Sequence, residues 1–184
     1  KALKLRVPDD FSAAAFFMAL GLLSDRIGGI EIRNVGLNPT RTAFLDAVRL
    51  MGGQLTVQTT AEEGGEPVGT ITVLPGALHG IELPLEWVPN LIDEIPILSV
   101  LAAAGSGRTV LRGAKELRVK ESDRIKSIVQ MIRGFSGSIL EHEDGFEISG
   151  AGEKAAVALV PAAARFATFA DHRIHVAIAV EIDE

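Results

Sequence analysis

Three short polar runs, each opening an apolar stretch, hold the residues able to do chemistry. The densest is Arg118-Val-Lys-Glu-Ser-Asp-Arg124. Lys120 and Arg124 are four positions apart, a spacing that gives them one face of a helix. Two neighbouring cations at a helix entrance hold an anion, and the helix N-terminus adds to them. Arginine suits a planar carboxylate through paired hydrogen bonds, and lysine suits a phosphate or a hydroxyl oxygen. Glu121 lies between the two cations and can face the same side as Arg124. A solvent-exposed turn of salt bridges would carry the same charges.

The second run is Asp93-Glu94, ahead of a strongly apolar segment. An acidic pair there either caps a helix or, beside buried apolar sequence that raises a carboxyl pKa, serves as a general base. The third is Asp171-His172-Arg173. Asp171 can cap, His172 can be a packed polar residue, and Arg173 can aim a guanidinium at an anion beside Arg124. The three runs start helices of successive repeat units. Converging on one face, they would gather Asp93, Lys120, Glu121, Arg124 and Arg173: acids to move protons and cations to hold an anion.

The elements that must position these residues repeat. Leu3, Leu5 and Val7 alternate as a strand, and Phe11 to Leu23 reads as a buried helix with Asp10 or Ser12 as its cap. Ile30 to Val35 is a strand. Asn38-Pro39-Thr40 opens a helix carrying Phe44, Leu45, Val48 and Met51, and Gly52-Gly53 ends it. Leu55 and Val57 begin one arm of a hairpin whose other arm is Ile71 to Val73, across a polar loop with Glu62, Glu63 and Gly64-Gly65. The order then returns: a strand at Ile81, Leu83 and Leu85; a helix from Ile92 to Ala104; a strand at Thr109 to Leu111; a helix from Glu121 to Ile132; and a hairpin of Ile139-Leu140 with Phe146 to Ile148. Met51-Gly-Gly-Gln-Leu55 recurs as Phe135-Ser-Gly-Ser-Ile139 about 84 residues later. The unit is β-α-β-α-β-β, and the fold class is α/β (α+β). A third unit, starting around Val157 and reaching a helix at Asp171 to Val180, is incomplete.

Length and composition narrow the function classes. The chain has 184 residues, 47% of them hydrophobic, which is one domain's worth with material for a core. A net charge of -6 disfavours nucleic acid as a partner. Without cysteine there is no thiolate nucleophile and no disulfide. No apolar run reaches the roughly 18 residues of a membrane span. His142, His172 and His175 have no zinc-site spacing, and no glycine motif for a dinucleotide occurs. Both ends read as cut rather than finished.

Five motifs resemble those of EPSP synthases, in the same order: Val7-Pro-Asp-Asp10, Asn34-Val-Gly-Leu-Asn-Pro-Thr-Arg-Thr42, Leu91-Ile-Asp-Glu-Ile-Pro96, Glu116-Leu-Arg-Val-Lys-Glu-Ser-Asp-Arg124 and Asp171-His-Arg173. The resemblance covers nearly the whole chain and is weakest over Ala151 to Ala170. It implies a domain of three β-α-β-α-β-β units, an inside-out α/β barrel, facing a second domain across a cleft. Residues 1–10 would be a terminal strand and hinge, and residues 11–184 a C-terminal globular domain short of its end. The family moves the enolpyruvyl group of phosphoenolpyruvate to the 5-hydroxyl of shikimate 3-phosphate and releases phosphate, without a redox cofactor.

By that resemblance Asp93 takes the hydroxyl proton, and Glu121 protonates the enolpyruvyl methylene. Lys120 lies near the shikimate hydroxyl, and Arg124 and Arg173 hold phosphoenolpyruvate, the position that glyphosate occupies. His172 supports them, and Asp10 marks the hinge. The partners implied are the two substrates and an N-terminal domain, in the cytoplasm or, in a plant, the plastid. The sequence departs from the family at Asp9, Ala13, Ala170, His175 and Val176. An isolated domain that binds small anions or a partner without turnover is the alternative.

Overall fold

The computed structural model describes residues 7–24, 27–120, 122–135, 137–152 and 176–177. Helix α1 (Phe11–Leu23) begins where the Asp10 carboxylate accepts the Ala13 N–H at 2.7 Å, a side-chain cap for an otherwise unpaired donor. Its sequence is apolar on every face, and it is accordingly packed on more than one side, against strand β1 (Ile30–Gly36) and against α4 (Ile95–Ala104). Gly21 permits the approach to the sheet: a Cβ there would lie 3.2 Å from the Ile30 side chain of β1 and 2.5 Å from that of Val73.

Helix α2 (Ala43–Leu50) leads into the hairpin of β2 (Gln54–Glu63) and β3 (Glu66–Leu74). The strands run through most of the expected polar loop and leave only Gly64-Gly65 as the turn. Both glycines have positive φ, 61° and 86°, as a two-residue hairpin turn compatible with strand twist requires. After the short helix α3 (Val88–Leu91) come α4, β4 (Ser106–Leu111), α5 (Arg124–Gly134), and the hairpin of β5 (Ser138–His142) and β6 (Gly145–Ala151). Among the described residues the sheets have orders β2-β3-β1-β7, where β7 is Val176–Ala177, and β4-β6-β5, all antiparallel.

The repeat is visible in this order. Helix, strand, helix, hairpin occurs as α1-β1-α2-β2-β3 and again as α4-β4-α5-β5-β6. Each copy is preceded by an extended segment bridged in parallel to its first strand: Asp9 to Val35 in one, His79 to Ser106 and Glu82 to Val110 in the other. The expected strand at Ile81 to Leu85 is reduced to these bridges, because Leu85 already opens a single 3₁₀ turn. One continuous apolar core, from Phe11 to Ile148, joins both copies.

Three helix starts differ from the sequence expectation, each for a local reason. At Asn38 the side-chain oxygen accepts from the Thr40 N–H at 3.0 Å and the Thr40 hydroxyl at 2.8 Å. That turn displaces the start of α2 to Ala43. The helix expected from Ile92 begins at Ile95, with Pro96 in the first turn of α4, where its missing N–H costs no bond, and a separate short helix, α3, precedes it. Helix α5 begins at Arg124 because Asp123 takes the cap position and accepts the Lys126 N–H at 2.9 Å.

The chain's final expected helix needs a correction. Val176–Ala177 is strand β7, paired antiparallel with Glu31 and Ile32 on the side of β1 away from β3. Strand edges recruit extended backbone in this way. The rest of the third unit and the strand at Leu3 and Leu5 lie outside the described residues. Among the described residues, no single helix is long and apolar enough to cross a membrane.

Candidate active site

The break between α3 and α4 presents Asp93, whose side chain is 47% exposed. Its two carboxylate oxygens face different arginines. Arg124, the first residue of α5, donates through Nη1 to Oδ1 at 3.2 Å. Arg41, from the turn before α2, places Nη2 3.8 Å from Oδ2. Lys120 stands in the turn ahead of α5, its Nζ 2.8 Å from Glu116 Oε1. That hydrogen bond raises its pKa, Asp93 raises it further, and Arg124 lowers it. The three groups therefore share one electrostatic neighbourhood.

The neighbouring acid behaves differently. Glu94 is 2% exposed. It occupies the N-cap position of α4, yet its side chain makes no capping bond. Instead Oε1 accepts from the Ser12 hydroxyl at 2.5 Å, across from α1. Burial is the main cause of a raised Glu94 pKa; Ser12 opposes it, Asp93 adds to it, and Arg41 opposes it. Ser12 Oγ also accepts from Arg41 Nη2 at 3.1 Å. Neither member of the acidic pair caps α4, so the capping alternative for Asp93-Glu94 is not what the chain adopts.

Arg118 holds the loop that carries Lys120 and leads into Arg124. Its guanidinium donates to both Asp123 oxygens at 3.2 and 2.9 Å and to Glu141 at 2.8 Å. It also donates to the Glu143 carbonyl at 2.9 Å and to the His142 carbonyl. Asp123 is thus fixed from two sides. The Lys126 N–H is the largest influence lowering its pKa, and Arg118 adds to it. The loop is fastened to the β5–β6 hairpin by one side chain while Asp123 caps the helix that presents Arg124.

Among the expected site residues, the structure brings Asp93, Lys120 and Arg124 together. The single helical face proposed for Lys120 and Arg124 is corrected: Lys120 precedes α5, and the turn rather than helical spacing sets its position. Asp10 caps α1 at the start of the domain. Glu121, His172 and Arg173 lie outside the described residues. Ser12, Arg41 and Glu94 also meet here, which no spacing in the sequence indicates: Ser12 reads there as a cap, Glu94 as one of an acidic pair, and Arg41 as part of the Asn38-Pro-Thr-Arg-Thr42 motif.

A half-exposed carboxylate flanked by arginines from two elements of a repeated α/β fold is the class of arrangement the structure defines. Comparison with known proteins gives that class a family. The chain belongs to the family of EPSP synthase (3-phosphoshikimate 1-carboxyvinyltransferase), whose profile matches residues 1–181. It is 48% identical over 148 residues to the 3-phosphoshikimate 1-carboxyvinyltransferase of Desulfitobacterium hafniense (strain DSM 10664 / DCB-2), covering 80% of this chain and 34% of that protein. With the Salinibacter ruber enzyme of the same name it shares 44% over 174 residues, 95% of this chain and 39% of that one. The structure of EPSP synthase from Acinetobacter baumannii superposes with a TM-score of 0.77 at 41% identity, over 80% of this chain and 33% of the other. The chain therefore spans between a third and two-fifths of the length of these relatives and matches a C-terminal-like portion of the full enzyme.

Proposed function

We propose that this chain supplies about half of an active site that transfers the enolpyruvyl group of phosphoenolpyruvate to the 5-hydroxyl of shikimate 3-phosphate, with release of phosphate. The observation that carries the reading is the Asp93 carboxylate, half exposed and flanked by Arg124 and Arg41, inside motifs that match the family. Asp93 accepts the hydroxyl proton as the substrate oxygen adds to C2 of phosphoenolpyruvate. Glu121 protonates the methylene to give a methyl group. Glu121, now a carboxylate, then takes back a methyl proton as phosphate departs, which restores the double bond. Arg124 and Arg173 hold the phosphoenolpyruvate anion, with His172 in support, and Lys120 lies at the shikimate hydroxyl.

The completed domain is an inside-out α/β barrel hinged at Asp10 to a partner domain. Closure of the two excludes water and aligns both substrates, which is where most of the rate comes from in a reaction that needs one base, one acid and anion clamps. Phosphate release tests this in an assembly of the chain with the remaining segments of the Desulfitobacterium hafniense relative. Turnover is expected in the assembly and not in the chain alone, and Asp93→Asn should lower it by at least about a hundredfold. A folded, assembled complex that binds phosphoenolpyruvate without turnover would instead make this a binding domain.

A further inference from the structure

Glu94 is a buried acid with no place in the mechanism above, and its surroundings give it one. Its carboxylate can only accept, so the Ser12 hydroxyl must donate to it across their 2.5 Å contact. A serine has a single proton. With that proton given to Glu94, the lone pairs of Ser12 are left to accept from Arg41, as they do at 3.1 Å. The same Arg41 nitrogen faces Asp93 Oδ2 at 3.8 Å, and Arg124 takes the other oxygen. A buried carboxylate thereby sets the direction of the Ser12 hydroxyl, which holds the Arg41 guanidinium as an ion-pair neighbour of the half-exposed one, at a distance beyond a hydrogen bond.

We infer that Ser12, Glu94 and Arg41 form a positioning array that orients the Asp93 carboxylate for proton transfer and ties it to the start of α1. The inference rests on the reading of Asp93 as the proton acceptor. The geometry separates these residues from substrate clamps: Arg41 is held from behind by a hydroxyl whose partner is 2% exposed.

The array also depends on pH in a defined direction. The charged groups acting on Glu94 are Asp93, next to it on the α3–α4 break, and Arg41, from the turn before α2; Ser12 on α1 is its hydrogen-bonding partner. Burial raises its pKa. Protonation adds an O–H donor to a group that could only accept, so the Ser12 hydroxyl is no longer fixed in one direction, and Arg41 loses an oriented partner. Glutamine at this position keeps a carbonyl acceptor but cannot titrate.

Two measurements on Ser12→Ala, Ser12→Thr and Glu94→Gln test the array, with folding checked by circular dichroism. In the chain itself, the Arg41 guanidinium should give a slowly rotating ¹⁵N signal in the unmodified protein, in Ser12→Thr and in Glu94→Gln. Ser12→Ala should lose that signal. In the assembled enzyme, Ser12→Ala should lower kcat about tenfold, the value of one hydrogen bond to a charged group, and leave the KM for phosphoenolpyruvate within about twofold. Ser12→Thr should restore kcat, and Glu94→Gln should flatten its decline on the acid side. A Ser12→Ala variant with unchanged Arg41 signal, or one that raises KM at constant kcat, overturns the inference. If the unmodified assembly shows no turnover, the reading of Asp93 fails, and the Arg41 signal still decides whether the array exists.

Discussion

Replacing Arg118 with methionine keeps the aliphatic stem and strips the guanidinium, whose side chain is only 21% exposed. Five hydrogen bonds go with it. The carboxylate partners return to water, and their pairs with arginine are screened there, so they contribute little to the loss. The exposed Glu143 carbonyl is rehydrated as well, and the part-buried His142 carbonyl loses a charged donor. At about 1.5 kcal/mol for that charge-assisted bond, the low end of the usual range, the expected destabilisation is about 1.5 kcal/mol. Urea unfolding followed by circular dichroism measures it through the shift in midpoint at constant slope. Because the same residue sets the loop before α5, the assembled enzyme should also lose turnover at full substrate saturation. A destabilisation below about 0.5 kcal/mol, the scale of an ordinary surface substitution, would refute the role assigned to Arg118 as the clasp of this loop.

Burial gives Glu94 a folded-state pKa above its ordinary 4.5. Between those two values the folded protein keeps a proton that the unfolded chain has released, so this residue's contribution to stability falls as pH rises through that window and is level above it. Glu94→Gln should abolish that slope, so its urea midpoint relative to the unmodified chain should rise with pH; equal slopes in both proteins would count against it. Gly145→Ala would bring a Cβ to 2.0 Å from the Leu111 carbonyl oxygen, and an overpacked backbone contact of this kind should cost about 1–3 kcal/mol. Gly134→Ala, with nothing within 4 Å of the added carbon, should stabilise α5 by about 0.5 kcal/mol; unfolding midpoints moving the same way for both would contradict the packing described.

Much of the fold is legible in local pattern. Helix α1 runs from Phe11 to Leu23 as read, because Asp10 supplies the cap and the apolar run supplies a face on every side. Both hairpins are legible through alternation and their turns, Gly64-Gly65 in the first. The misplaced starts of α2 and α5 have a common physical origin: Asn38 and Asp123 bond their own backbone, and such bonds set a helix boundary more sharply than hydrophobic period does. The start of α4 at Ile95 follows from Pro96, whose place in a first turn is legible in the sequence, whereas the short helix α3 ahead of Asp93 carries no such signal.

The site divides along similar lines. Asp93 and Arg124 stood out because each opens an apolar helix beside other charges. Glu94 and Asp93 were indistinguishable as a pair, since burial to 2% in one and 47% side-chain exposure in the other is decided by tertiary packing. Ser12 lies 82 residues from Glu94 and 29 from Arg41. No periodicity links such positions, so only folding shows that they meet.

A crystal structure of the assembled enzyme with shikimate 3-phosphate and glyphosate tests most directly whether the Asp93, Lys120 and Arg124 surface is one wall of the proposed substrate cleft. The shikimate 5-hydroxyl is expected within hydrogen-bonding distance of the Asp93 carboxylate, and the inhibitor's anionic groups on Arg124. Both ligands seated elsewhere, with Asp93 still held only by Arg124 and Arg41, would contradict it.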